Sequence, residues 1–284
     1  LGLGLASQPI AGWHGSYAQT NVAVSDFSAV IREFKPDVIL HAAGSASVST
    51  SFSSPIDDLK AAALTWANTL ESVRRSDVRP LILFPSSAAV YGNPSKLPVA
   101  EDAQMRPISP YGFHKAACEL LAREYAECFE LSIVVCRLFS VFGVEQRRLL
   151  VWELFEQFVS EAETVWLNGP GKVSRDYLHV VDVASALFEL AKNLSREKNR
   201  ASCQFVNVAS GNEVKVIELA KLMRDLVASH KDIRCRGIES SADPRVWQAD
   251  ISLLHTLCPE WQPTPLADGL TRCIDTWKRE LLNK

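Results

Sequence analysis

Residues 37–44 read DVILHAAG, and the fold turns on them. Val38, Ile39 and Leu40 are an unbroken apolar run that enters from Lys35-Pro36 and leaves through Ala42-Ala43-Gly44. A run this short with no polar face reads as a strand buried on both sides of a parallel sheet. Helical patterns lie around it. Asp26 is placed to cap a helix that continues through Phe34 and stops at Lys35-Pro36, and Pro55 opens a longer one to about Ser76. The alternation then repeats. Leu81–Phe84 is strand-like, a loop rich in Pro and Gly follows, a helix carries Tyr111 and runs to about Phe129, and Leu131–Cys136 is another buried strand. Upstream, Leu1–Leu5 and Val22–Val24 are short apolar runs of strand character. Repeated strand–helix units argue for an α/β fold with a right-handed parallel sheet.

After Gly143 the pattern loosens. Helices are expected near 147–162, 180–194, 214–230 and 266–282, with strands at 165–167, 204–208 and 233–236 and the motif RDYLHVVD beginning at Arg175. This reads as a first domain over 1–145 and a C-terminal part, 146–284, forming a smaller lobe interleaved with the last sheet elements.

The bulk numbers exclude several classes of function. With 47% hydrophobic residues the 284-residue chain has enough apolar material for a substantial core. A net charge of −3 and no basic run give no electrostatic footprint for nucleic acid. No apolar stretch is long enough for a membrane span, and no signal peptide is visible. The seven cysteines form no CxxC pair, which fits reduced thiols in a cytoplasmic protein. His41 and His179 each sit at a strand end among apolar residues, the setting of structural histidines rather than metal ligands.

Two stretches carry chemistry. In SPYGFHKAACE, residues 109–119, Tyr111 and Lys115 are one helical turn apart and share a face. A free tyrosine titrates at about 10, and a nearby ammonium lowers that value by stabilising the phenolate. The alternative is an amphipathic helix with two long polar side chains. FPSSAAVYG, residues 84–92, leaves the end of a buried strand, where α/β sheets place ligands. Ser86 and Ser87 lie just beyond that strand; a hydroxyl there suits a substrate oxygen, or caps the turn.

In order and spacing, DVILHAAG (37–44), FPSSAAVYG (84–92), SPYGFHK (109–115), CRLFSVFG (136–143) and RDYLHVVDVASAL (175–187) resemble the extended short-chain dehydrogenase/reductases, the nucleotide-sugar epimerases, dehydratases and reductases. The resemblance spans nearly the whole chain. It implies a Rossmann-type doubly wound sheet with a small substrate lobe and NAD or NADP as cofactor. Tyr111 would be the acid/base, Lys115 its tuner and a ribose ligand, and Ser87 the third catalytic member. Ala42, Ala43 and Gly44 would meet the dinucleotide through backbone, with Ser86, Leu138 and Phe139 beside it. Ser140 and Arg175 would contact the substrate, Arg175 at the diphosphate unless it pairs with Asp176 or Asp182. A homodimer built from helices 56–76 and 112–129 is expected, with Leu59, Ala63, Trp66 and Leu70 either on its interface or in the core.

The departures are informative. The Gly-rich fingerprint that holds a pyrophosphate at a helix N-terminus is absent. LGLGLAS, residues 1–7, alternates like a strand and matches the second strand of the fold; the expectation is that about 25–30 residues, one βα unit, precede it. No acidic residue ends that strand, so NAD and NADP are both open. Ala88-Ala89 stand where dehydratases carry an Asp-Glu pair, which disfavours water elimination. Ser140 replaces the family's sugar-contacting Asn, and Ser240 an Arg of the C-terminal lobe, for which Arg236 or Arg245 would compensate. The expected reaction is nucleotide-sugar epimerisation, at C4, with a 4-keto-sugar reductase or a non-catalytic dinucleotide binder as alternatives.

Overall fold

The computed structural model describes residues 1–195, 202–237 and 244–282; Ser240 lies outside them. The chain forms two compact units, Leu1–Gly92 with Met105–Arg137 and Leu190–Val206, and Asn93–Gln104 with Leu138–Glu189 and Asn207–Lys284. The units therefore do not divide at residue 145. Residues 138–145 fall in the second, and the helix expected at 180–194 is shared between them.

In the first unit β1 (Gly2–Gly4) pairs in parallel with β2 (Tyr17–Gln19). Then come α1 (Ser28–Phe34), β3 (Val38–Leu40), α2 (Val48–Ser53) and α3 (Pro55–Leu59). A π turn over Lys60–Leu64 joins α3 to α4 (Thr65–Ser76), so the long helix expected from Pro55 to Ser76 is there, with a widened turn inside it. β4 (Leu81–Ser87) runs into a 3₁₀ turn at Ala88–Val90, followed by α5 (Pro110–Phe129) and β5 (Ser132–Leu138). The main sheet has the order β3-β4-β5-β9, where β9 spans Ser202–Val208, and β3 lies parallel to β4 with Ile39 opposite Ile82.

Three expectations need correction. Val22–Val24 is a turn, and β2 lies earlier, at Tyr17–Gln19. Among the described residues β3 is bonded to β4 alone, and Leu40 is 51% exposed, so the burial on both faces expected of it is not seen there. Trp66 and Leu70 are not interface residues. Both are fully buried, and Trp66 stacks on Phe84 with ring centres 4.4 Å apart while its indole N–H donates to the Cys118 carbonyl at 2.9 Å. That arrangement ties α4 to β4 and α5 through one side chain. Leu59 and Ala63 are only partly buried.

The second unit holds β6 (Ser140–Phe142), α6 (Leu149–Val159), β7 (Thr164–Leu167), β8 (Ser174–His179) and most of α7 (Val180–Leu194). After these come β10 (Glu213–Lys215), α8 (Val216–Val227), β11 (Asp232–Cys235), α9 (Ser252–Leu257) and α10 (Leu266–Leu282). β8 is the centre of a three-stranded sheet, parallel to β6 and antiparallel to β10. Phe155, Leu154, Met223 and Trp277 lie at the heart of its core, and the Trp277 indole donates to the Val144 carbonyl at 2.7 Å. Among the described residues no helix is long and apolar enough to cross a membrane.

Trp66→Ala empties a buried aromatic site and leaves the Cys118 carbonyl without its donor, so it should lower unfolding free energy by about 3–5 kcal/mol. Urea denaturation checks this; an unchanged midpoint would contradict the packing role.

Candidate active site

Tyr111 stands where it does because of how α5 starts. Ser109 is extended and its hydroxyl accepts the Gly112 N–H at 3.2 Å; Pro110 occupies the first turn, where its missing N–H costs nothing. The Tyr111 N–H donates to Oγ of the buried Ser51 at 3.1 Å. Gly112 packs so closely on the 3₁₀ turn that a Cβ there would lie 2.6 Å from the Ala89 carbonyl oxygen. The helix start is thereby locked against the end of β4. Tyr111 itself remains partly exposed.

Lys115, one turn on, is buried. Its ammonium donates to the Pro85 carbonyl at 3.0 Å and lies 4.9 Å over the Phe84 ring and 5.8 Å over the Tyr111 ring. Burial lowers its affinity for a proton, and the nearby Cys118, Asp58 and Glu119 work the other way. The cation therefore lies beside two aromatic rings, one of them that of Tyr111.

The two serines of FPSSAAVYG diverge, as neighbours on a strand must. Ser86 is buried and donates to Glu119 at 2.6 Å. Glu119 is bound by Arg137 at 2.8 Å, and Arg137 also donates to the Tyr91 hydroxyl at 2.8 Å and lies over the Tyr91 and Phe205 rings. Burial opposes the Arg137 charge, but its bonds to Glu119 more than offset that and hold the proton more tightly than usual. The Ser86 hydroxyl thus belongs to a buried structural network. Ser87 is half-buried on the other face, and its oxygen accepts the Ala89 N–H at 3.2 Å, capping the turn. Glu119, Arg137 and Tyr91 had no place in the sequence reading. The signal was there: an arginine inside the apolar run IVVCRLF has to be paired.

Ala42, Ala43 and Gly44 follow β3 and are exposed. Gly44 has φ +127°, and a Cβ on it would lie 3.2 Å from the Ala61 carbonyl of the π turn, so both its backbone and its surroundings call for glycine. Beside it the Ser45 hydroxyl is buried without a hydrogen-bond partner among the described residues. This open, side-chain-free stretch is of the kind that admits a dinucleotide close to the backbone. His41 lies beneath, with Nδ1 3.0 Å from the Thr69 hydroxyl; burial first, and the Lys115 charge second, push its pKa down to about 4.

The remaining expected residues fall in the second unit. Leu138 is half-buried, Phe139 is buried against Trp247 with ring centres 5.8 Å apart, and half-buried Ser140 opens β6. Arg175 does not rely on Asp176 or Asp182: their carboxylates are engaged elsewhere. Its guanidinium donates to the Ser174 and Pro244 carbonyls at 2.8 and 2.7 Å and lies over Trp247. Asp176, on the other face of β8, accepts from Ser210, Gly211 and Ala249, although burial still pushes its carboxyl up to about 6. His179 accepts the Val181 N–H at 3.3 Å and packs on Phe142; burial lowers its pKa. Among the described residues no cluster of His, Cys, Asp or Glu could hold a metal ion.

The architecture recurs in solved proteins. MoeE5 in complex with UDP-glucose and NAD superposes with a TM-score of 0.83 at 24% identity, over 96% of this chain and 89% of its own. RMD from Pseudomonas aeruginosa complexed with NADPH does so with a TM-score of 0.82 at 23% identity, over 95% and 93%. These likenesses define an α/β protein of the Rossmann class. In sequence, the putative UDP-glucose 4-epimerase of Methanocaldococcus jannaschii is 27% identical over 249 residues, 85% of this chain and 77% of that protein. The NAD dependent epimerase/dehydratase family matches residues 15–209, and the chain belongs to that family of enzymes.

Because His41 is neutral in the fold and titrates near 6.5 when exposed, the unfolded chain binds more protons between pH 6.5 and about 4. The stability it contributes is present above pH 6.5 and lost as pH falls through that window, about 3 kcal/mol in all. Denaturation at pH 7 and pH 4.5 should show a smaller difference for His41→Gln than for the parent; equal differences would contradict it.

Proposed function

We propose that the protein is a nucleotide-sugar 4-epimerase acting on a UDP-linked hexose with NAD or NADP, by a tyrosine acid/base. The observation that carries this reading is the buried Lys115 ammonium beside Tyr111, at the carboxyl end of β4 with Ser87. The similarity to a putative UDP-glucose 4-epimerase supports the substrate class. The exposed backbone at Ala42–Gly44 would take the dinucleotide, with Lys115 toward its ribose. A bound nicotinamide would supply the hydride acceptor and donor. The chain's own part is proton transfer and orientation. Tyr111 takes the proton of the sugar hydroxyl and later returns one to the same oxygen. Lys115 stabilises the phenolate between these events. The half-buried Ser87 hydroxyl steadies the sugar oxygen, while Ser140 contacts the sugar and Arg175 the diphosphate. The reading includes a cytoplasmic location.

It also includes a homodimer through helices 56–76 and 112–129, by other residues of those helices than Trp66 and Leu70. Ile56, Leu64, Phe113 and Leu120 are 60%, 55%, 59% and 67% exposed on the α3–α4 and α5 helices, and a second copy is the occupant proposed for them. Light scattering at micromolar concentration should give twice the chain mass, and Phe113→Glu with Leu120→Glu should give the monomer. A monomeric parent would overturn this part.

The chemistry is tested on the full-length protein with UDP-glucose and UDP-galactose, following product chromatography beside nicotinamide absorbance. Interconversion without net change in cofactor is expected. Stoichiometric oxidation of NADH or NADPH by a 4-keto-sugar would instead make it a reductase. Tyr111→Phe should reduce turnover by about 10²–10⁴ with cofactor affinity kept, whereas Lys115→Met should damage both. Full activity in Tyr111→Phe would overturn the mechanism.

A further inference from the structure

β4 is an inside strand, with β3 on one side and β5 on the other, and its fifth residue is Pro85. Proline has no N–H to give a ladder and belongs on edge strands and at bulges. Its place in this strand calls for a reason.

The register supplies one. In a parallel pair every second residue of a strand bonds to its neighbour, giving its N–H to the residue before its partner and taking an N–H from the residue after. On the β3 side of β4 these residues have odd numbers. Leu81, opposite Val38, gives its N–H to the Asp37 carbonyl at 2.9 Å, and Leu83, opposite Leu40, accepts the His41 N–H at 2.9 Å. Residue 85 is next in the series. An N–H there would go to the His41 carbonyl, and its carbonyl would take the N–H of Ala43. As proline it has no N–H to give, and β3 ends at Leu40 while β4 runs on to Ser87. The Pro85 carbonyl accepts instead from the Lys115 ammonium, at 3.0 Å.

The backbone of α5 is held by other contacts. Ser109 and Ser51 fix its start, His114 Nδ1 lies 2.5 Å from Asp58 Oδ2 on α3, and Glu119 is bound by Arg137. The helix therefore sets where the Lys115 side chain begins. The acceptor sets where its ammonium ends, and a lysine at 6% exposure has need of one.

We propose that Pro85 is a positioning residue for Lys115: by withholding an N–H it parts β3 from β4 after His41 and keeps its own carbonyl for the ammonium. The consequence for turnover rests on Lys115 being the tuner of Tyr111; the seating of the ammonium does not.

The test uses the full-length protein labelled with ¹⁵N, and with ¹³C at the carbonyl of residue 85. Pro85→Ala supplies the missing N–H, so the ladder should lengthen by one step. The Ala43 amide should then exchange with solvent about tenfold more slowly than in the parent, or slower still. The residue-85 carbonyl signal, which Lys115→Met moves in the parent, should no longer respond to that change. Turnover and cofactor affinity should each fall about 10–100-fold, the weight of one hydrogen bond to a charged group. In a Lys115→Met background the same substitution should lower neither further, because the group it acts through is gone. If Pro85→Ala does not fold, Pro85→Val, a better strand former, makes the same demands. The proposal is overturned by an Ala43 amide that exchanges as in the parent, or by a parent carbonyl signal that Lys115→Met leaves unmoved. Equal losses in the two backgrounds, as a merely structural proline would give, overturn it too. A longer ladder and a released carbonyl with turnover intact uphold the seating and remove Lys115 from the catalytic reading instead.

Discussion

The buried ion pair between Glu119 and Arg137 is the constraint from which the first unit is organised. Both side chains are almost completely withdrawn from water, at 1% and 2% exposure. Two charges in that position are tolerable only if their remaining lone pairs and protons are used. Ser86 and Tyr91 use them, which binds the end of β4 and the loop after it to the same pair. Glu119 lies one turn beyond Lys115 on α5, so the pair that fastens this helix to β5 also sets the height at which Lys115 and Tyr111 meet the sheet edge. Strength and placement here come from one network rather than two.

Much of this was legible in the chain. A helix carrying Tyr111 to about Phe129 was expected, and Tyr111 and Lys115 lie on α5 one turn apart, as the spacing required. The alternation of a strand separated Ser87 from Ser86 in principle, yet only the coordinates told which one faces inward, because that depends on the partner Glu119, 33 residues away. DVIL was misread for a related reason. Its composition describes side chains, while burial on both faces depends on what lies beside the strand, and among the described residues β3 has one neighbour, β4. Trp66 carried the same ambiguity: helical spacing gives a face, not its neighbour. The Asp58–His114 contact joins residues 56 apart, with no motif to connect them.

In the second unit β8 shows how one strand divides its duties. Arg175 and Asp176 are adjacent and opposite in charge, and a sequence reader would pair them. Alternation sends them to opposite faces instead. Asp176 becomes the acceptor that gathers the backbone around Ser210, Gly211 and Ala249, while Arg175 donates to two carbonyls and lies over the face of Trp247.

The π turn at Lys60–Leu64 has a consequence for how the gene can change. A π turn amounts to one residue inserted into an α-helix. The wide turn absorbs that residue, so the stretches before and after it keep nearly the facing of a regular helix one residue shorter; wound as regular α-helix at 3.6 residues per turn, the same residues would differ in facing by roughly 100°. Asp58 precedes the turn and faces His114; Trp66 follows it and faces Phe84. No regular helix of this length could present both. A single-codon deletion inside the turn is therefore the change this helix can absorb, because it leaves both faces where they are, whereas the same deletion elsewhere in the helix would turn one of them away.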